Sequence, residues 1–260
     1  MSKAYPKGSR GGVVIRPGDG RSFPVLLHEP GVGAWALWSV LYGVGGAVGS
    51  LISSFVGSLF FPDGGGLGVA VPLPQMVVGL VGTFILGATI GLAQWLMLRL
   101  YMYKVNWWPV VTGLGLALAS GLIAIVLPTI FPLPATADPN YEQAAAIRDT
   151  VNGAIVGLMV GAAQAAILVR KVTDRTAIGI FVLTNMLGWL ALALLASFLA
   201  TAIGTMRELG DTRQTIILFL SFTLAGMISG LELINILKKH QQEIEEETSP
   251  NVHRPAPRSN

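Results

Sequence analysis

Six long apolar segments, separated by short polar or Pro-rich interruptions, organise this chain. They cover about residues 34–60, 76–98, 107–127, 151–169, 177–203 and 214–237. A hydrocarbon core of roughly 30 Å takes about 20 apolar residues of helix to cross, and each segment is long enough. Unpaired backbone groups are not tolerated in lipid, so helix is the form such a run adopts. A single ionisable residue, Glu232, lies inside the six, near the end of the last. Phe61-Pro62-Asp63, the stretch from Arg99 to Lys104, and Arg170-Lys171 with Asp174-Arg175 mark breaks between them. The pattern predicts an all-α membrane protein with six transmembrane helices.

The basic residues give these helices a direction. Fourteen of the seventeen Lys and Arg fall on one side: in the N-terminal segment, after the second and fourth spans, and after the sixth. Arg148, Arg207 and Arg213 alone fall on the other. By the positive-inside rule both termini are expected to be cytoplasmic, in the cytoplasmic (inner) membrane. Residues 1–33 then form a cytoplasmic arm, 34–238 the membrane domain and 239–260 a cytoplasmic tail. No apolar run long enough for a signal-peptide core precedes residue 34, so the arm does not read as a signal peptide. Its patches Val13-Val14-Ile15 and Phe23 to Leu27 are too short to fold alone and are expected to lie on the protein's own helices or on a partner. The acidic run Glu243–Glu247 reads as a solvated helix extension, and the Pro-containing end beyond it as disordered. Among the outer loops, Asp138 followed by Pro139 is a helix start signal, placing the first turns of the fourth helix outside the bilayer.

A period near 70 residues runs through the spans. Gly87-Ala-Thr-Ile-Gly91-Leu-Ala-Gln94 in the second matches Gly157-Leu-Met-Val-Gly161-Ala-Ala-Gln164 in the fourth. A weaker copy, Gly226 to Gly230, occupies the sixth, with Leu233 replacing the Gln. In the odd spans Trp38 aligns with Trp108, Gly43 with Gly113 and Ser50 with Ser120, while Ile178 falls where a third Trp would stand. Three tandem two-helix hairpins follow, at about 34–104, 105–175 and 176–238. An even number of spans per repeat keeps every copy in one orientation, so the copies relate by an axis along the membrane normal.

Gly at four-residue spacing lies on one helix face and lets a neighbouring backbone approach. Gly79, Gly87, Gly91, Gly153, Gly157, Gly161, Gly226 and Gly230 are the packing candidates. Their stripes either pack the even-numbered helices around a centre or line a narrow pathway. Gln94 and Gln164 share nearly the same face. An amide in lipid needs partners, so both are expected to point inward and bond each other or a carbonyl, as structural glue or as a polar site for a solute. Glu232 joins them as a candidate, with the interface as its alternative location.

Composition narrows the chemistry. Only 12% of residues are charged, there is no Cys, and His28, His240 and His253 all lie outside the spans. Thiolate metal sites, disulfides, intramembrane haem ligation and a His proton relay lack their residues. No base is available in the spans for a Ser nucleophile. The Gly64–Gly68 loop lacks the Lys-Ser/Thr of a phosphate cradle. Neither catalysis, metal nor cofactor is expected, and with a net charge of +3 and no basic run, nucleic acid is not a partner. Trp35, Trp38, Trp107 and Trp108, with Trp95 nearby, read as an interfacial belt that anchors depth; stacking of a pigment or quinone is the minor alternative.

The phrase from Gly87 to Arg99, with Gln94-Trp95 and Leu98-Arg99, followed by a basic turn and Trp107-Trp108, resembles a pattern in uncharacterised bacterial polytopic membrane proteins. The resemblance is strongest over 79–120 and 153–171 and implies only fold and membrane location. The expected function is that of a non-catalytic accessory or structural subunit, contacting the lipid bilayer and other membrane proteins through Gly-rich faces and the arm. A small-solute transporter or channel with its site near Gln94 and Gln164 is the rival. An enzyme of lipid metabolism, the third class, has no base.

Overall fold

The computed structural model describes residues 30–60, 73–102, 104–136, 138–204 and 212–248. Residues 1–29 of the N-terminal arm, the Gly64–Gly68 loop and the end of the C-terminal tail lie outside them, and the arm's last residues, from Val32, already belong to the first helix. The described residues form six helices: α1 (Val32–Phe60), α2 (Leu73–Leu98), α3 (Trp108–Ile130), α4 (Tyr141–Leu168), α5 (Arg175–Gly204) and α6 (Thr212–Thr248). Each is long and apolar enough to cross a membrane. Large apolar side chains face outward along them, Phe55, Ile125 and Phe198 among the most exposed. Water would penalise such a surface by roughly 25 cal/mol per Å²; lipid does not.

The ends depart from the sequence pattern in instructive ways. α6 runs on through Lys238 and Lys239 and the acidic residues to Thr248, so residue 238 is no structural boundary. α4 begins at Tyr141 rather than beside Asp138. The Asp138 carboxylate instead accepts the Asn140 backbone N–H at 2.8 Å, closing a turn ahead of the helix. α3 continues past Pro128 to Ile130, with Pro109 in its first turn, where a missing N–H is harmless.

The helices form a closed ring. Each packs on its neighbours in the chain, and α6 closes on α1. Burial is concentrated towards one end. α1 buries residues between Ala34 and Gly49 and α2 between Gly82 and Leu98, whereas 51–60, 73–81 and 190–200 contribute no buried residue. The tight end carries the α2–α3 and α4–α5 turns. These two turns use the same backbone bonds: Met102 N–H to Leu98 O at 2.8 Å and Val172 N–H to Leu168 O at 2.9 Å, each preceded by an N–H three residues from its acceptor.

At the tight end Asp174 joins the α4–α5 turn to the extended α6. It caps α5 by accepting the Ala177 N–H at 3.0 Å and pairs with Lys239 at 2.6 Å. The Lys239 ammonium, then the backbone N–H, hold the Asp174 carboxyl below its ordinary value. A depressed folded-state pKa means the contribution is present above the unfolded value and fades as pH falls through the folded one. The exposed pair is expected to release the α6 extension on acidification, seen as faster amide exchange beyond Lys239. Lys239→Ala should return the Asp174 titration, followed by carboxyl NMR shift, towards the ordinary carboxylate range.

Candidate functional site

The glycine stripes are consumed inside the ring. A Cβ built on Gly87 would lie 2.8 Å from the Thr112 carbonyl oxygen, and one on Gly91 2.7 Å from Pro109 Cα, both on α3. Gly153, Gly157 and Gly161 approach α5 in the same way, at Trp189 O (2.6 Å), Asn185 O (2.5 Å) and Asn185 Cβ (3.0 Å). Gly226 and Gly230 approach α1, at Tyr42 Cβ (2.6 Å) and Trp38 Cδ1 (2.7 Å). The stripes therefore do not seat the even helices on one another: each seats the odd helix that follows it, and α6 seats α1. Gly79 is a correction. It is exposed with nothing near its Cβ position because it faces outward on α2, while the adjacent Leu80 still reaches the Cβ position of Gly121 on α3 at 3.4 Å.

Odd-helix glycines complete the pattern. Gly45 meets Ile90 Cα (2.8 Å), Gly115 meets Val160 Cα (3.0 Å) and Gly188 meets Ala225 Cα (3.4 Å). Bulk is exchanged where a glycine is missing. Gly87 faces Leu116 and Gly157 faces Trp189, while on the third interface Phe222 projects from α6 against Gly46 of α1.

Aromatic rings fill the centre. Trp38 and Trp108 meet edge-on at 6.4 Å between centroids, and Trp108 meets Phe181 at 6.5 Å. α1, α3 and α5 are not ring neighbours, so these contacts cross the middle. One turn further, Tyr42, Trp189 and Phe222 form a second cluster, with Trp189 and Phe222 at 5.6 Å. Trp38, Trp108 and Phe181 have no exposed surface. The belt expected from the Trp positions is thus mostly something else. Trp107 is exposed as a belt residue would be, Trp35 donates to the Met227 carbonyl oxygen at 2.8 Å, Trp95 carries Arg99 over its ring at 5.1 Å, and Trp38 and Trp108 are core. Phe181, rather than Ile178, joins the two Trp.

The polar cluster lies against this centre. Trp108 Nε1 donates to Gln94 Oε1 at 2.8 Å. Gln164 Nε2 donates to Gln94 Oε1 and to Thr112 Oγ1, both at 3.0 Å. The Thr112 hydroxyl donates to the Trp108 carbonyl oxygen at 2.8 Å. Amide orientation is ordinarily ambiguous, but the indole can only donate, so Gln94 must present its oxygen. Gln164 must then present its nitrogen, and its own Oε1 is left buried without a partner, as is Gln94 Nε2. On α5, Asn185 Nδ2 donates to the Phe181 carbonyl oxygen at 3.0 Å, leaving Asn185 Oδ1 buried and unpartnered. On the α6–α1 interface Trp38 Nε1 donates to Ser229 Oγ at 3.3 Å.

No family model, curated protein or solved structure matches the chain. The site therefore stands on its own geometry.

Glu232 does not belong to it. Its carboxylate is partly exposed and accepts Asn235 Nδ2 at 3.2 Å on the outer side of α6. Gln94 and Gln164 are joined directly, whereas Thr112, Asn185 and Ser229 were missed. The rule that singled out the Gln pair, an amide inside an apolar span needing partners, applies equally to Asn185; hydroxyls are too common in membrane helices to be noticed that way. Among the described residues no group of three or more His, Asp and Glu converges to hold a metal. An apolar groove of about 340 Å³ between α1 and α6, lined by residues such as Val48, Ile216 and Phe219, carries no polar convergence that would orient a solute.

Proposed function

We propose that the chain is a non-catalytic integral membrane protein, an accessory or structural subunit of a membrane complex. One observation carries this reading: side chains from α1, α3 and α5 meet across the middle of the ring, so its centre is a packed core. The stripes are spent on closing that ring, which leaves the exposed apolar faces, the α6 extension and the arm for contact with other subunits. The resemblance over Gly87 to Arg99 is compatible with a bacterial inner-membrane setting, and the Lys and Arg distribution supports cytoplasmic placement of both termini.

The ring is further proposed to be three tandem helical hairpins about an axis along the membrane normal. Support comes from three interfaces that repeat one another: Gly91 against α3, Gly161 against α5 and Gly226 against α1. In this register Trp38, Trp108 and Phe181 correspond, as do Gly45, Gly115 and Gly188. The third hairpin is displaced from the period of 70 because α5 starts at Arg175, nearly two turns before Phe181, whereas α3 starts at Trp108 itself. Likewise Gly226, three residues before Ser229, corresponds to Gly91 and Gly161, three before their Gln.

A solute pathway past Gln94 and Gln164 is the second reading, favoured by their unpartnered amide atoms. Extraction in gentle detergent with identification of co-purifying chains tests the first. Stable partners are expected; a protein that always emerges alone, and moves a solute in vesicles, would falsify it. A reporter fused at Asn260 should read cytoplasmic, and an external signal would invert the topology.

A further inference from the structure

One third of the polar cluster lacks a donor that another third has. Gln164 Nε2 bridges Gln94 Oε1 and Thr112 Oγ1 at 3.0 Å each, so those two oxygens lie no more than twice that distance apart. On the threefold reading, on which this inference rests, the counterparts of Gln94 and Thr112 in the next third are Gln164 and Asn185. The packing agrees: a Cβ on Gly91 would lie 2.9 Å from Thr112 Cβ, and one on Gly161 3.0 Å from Asn185 Cβ. The matching oxygen pair is then Gln164 Oε1 and Asn185 Oδ1. Both residues are fully buried, and both atoms are without a partner.

The bridging donor would have to come from α6. The position there that corresponds to Gln94 and Gln164 is Ser229, which accepts Trp38 Nε1 as Gln94 accepts Trp108 Nε1. Ser has three fewer side-chain heavy atoms than Gln and reaches two bonds less far, and the Ser229 hydroxyl turns back to the Gly226 carbonyl oxygen at 3.4 Å. A single residue difference therefore removes the amide that would serve both oxygens and also the volume that amide would fill. Phe181, where a third indole would stand, supplies no N–H either.

We propose that this place between α4, α5 and α6 binds one small neutral molecule with two donor hydrogens, a water molecule, which bridges Gln164 Oε1 and Asn185 Oδ1 in the manner of the Gln164 amide on the opposite side. Two buried acceptors left bare lose their solvation with nothing in exchange, and a buried water is held by roughly two to four polar partners. A cation is disfavoured, since the span carboxylate of Glu232 faces outward and no counter-charge is at hand.

A high-resolution structure of the full chain in lipid, alone and as Ser229→Gln, tests this. The unaltered protein should show a single-atom density within hydrogen-bonding distance of both oxygens; an elongated density, marking a larger ligand, would overturn the assignment of water. In Ser229→Gln the density should give way to the new amide, with the melting temperature unchanged or raised. Should that variant not fold, Asn185→Leu should lose the density while Gln164 keeps its bonds to Gln94 and Thr112. An empty site, or a protein donor on either oxygen, would overturn the proposal. Failure of the threefold reading looks different: Asn185 would not superpose on Thr112 when α4 and α5 are laid on α2 and α3.

Discussion

Gly157→Ala is expected to lower the melting temperature of the detergent-solubilised protein by up to roughly 8 °C, while Gly79→Ala raises it by roughly 2–4 °C. The added Cβ would stand 2.5 Å from the Asn185 carbonyl oxygen and 2.6 Å from Met186 Cα. Both are backbone atoms of α5, so no side-chain rotation relieves the clash and the two helices must separate. Overpacking of this kind costs about 1–3 kcal/mol, and in a domain of this size each kcal/mol moves the midpoint by about 2–4 °C. The better helix propensity of Ala, about 1 kcal/mol, works against the loss at Gly157 and is the only effect left at Gly79. Gly82→Ala should fall between, because its nearest neighbour, at 2.7 Å, is the Ser53 hydroxyl, which can turn away. Thermal unfolding followed by size-exclusion fluorescence ranks the three. Equal behaviour of Gly157→Ala and Gly79→Ala would mean that α4 and α5 are not packed through that stripe.

The same contrast marks what the sequence could disclose. Six spans were legible because a helix in lipid is demanded by an unbroken apolar run, whatever it packs against. The Gly face was legible over Gly87–Gly91 and Gly153–Gly161 for a similar reason: four-residue spacing is a property of one helix alone. Which neighbour that face meets is not such a property, and the expectation that the stripes pack the even helices on one another failed on it. Gly79 extended the stripe in spacing but faces outward on α2. For the Trp residues, position along a span fixes depth but not azimuth, and at one depth Trp107 faces outward while Trp108 lies in the centre. The register of the third hairpin was hidden because the chain adds three residues between the α4–α5 turn and Phe181 relative to Trp108 and winds them into α5, so a constant period pointed to Ile178. The Gln94–Gln164 bond was legible from the cost of a lone amide in lipid; Asn185 and Ser229 became meaningful only once the helices were assembled.

That bond also makes the two Gln unequal, which is the other large effect. Gln94→Leu is expected to destabilise the protein by about 2 kcal/mol, and Gln164→Leu by less than 1 kcal/mol. Each substitution deletes two hydrogen bonds. Removing Gln94, however, strands the Trp108 indole N–H in the packed centre, with Gln164 Nε2 keeping only Thr112. Removing Gln164 strands no protein donor: Gln94 Oε1 still accepts Trp108, and the Thr112 hydroxyl still donates to a carbonyl. The double variant should accordingly be close to Gln94→Leu alone rather than to the sum, since the members of one network do not add. Unfolding midpoints in one detergent give the ranking, and equal losses from the two single variants would refute the bonding pattern. A compensating change sharpens the test. Adding Trp108→Phe to Gln94→Leu removes the stranded donor and reproduces on α3 the ring that Phe181 already presents from α5, so part of the lost stability should return. If it does not, the cost of Gln94→Leu comes from packing around the side chain and not from the indole it serves.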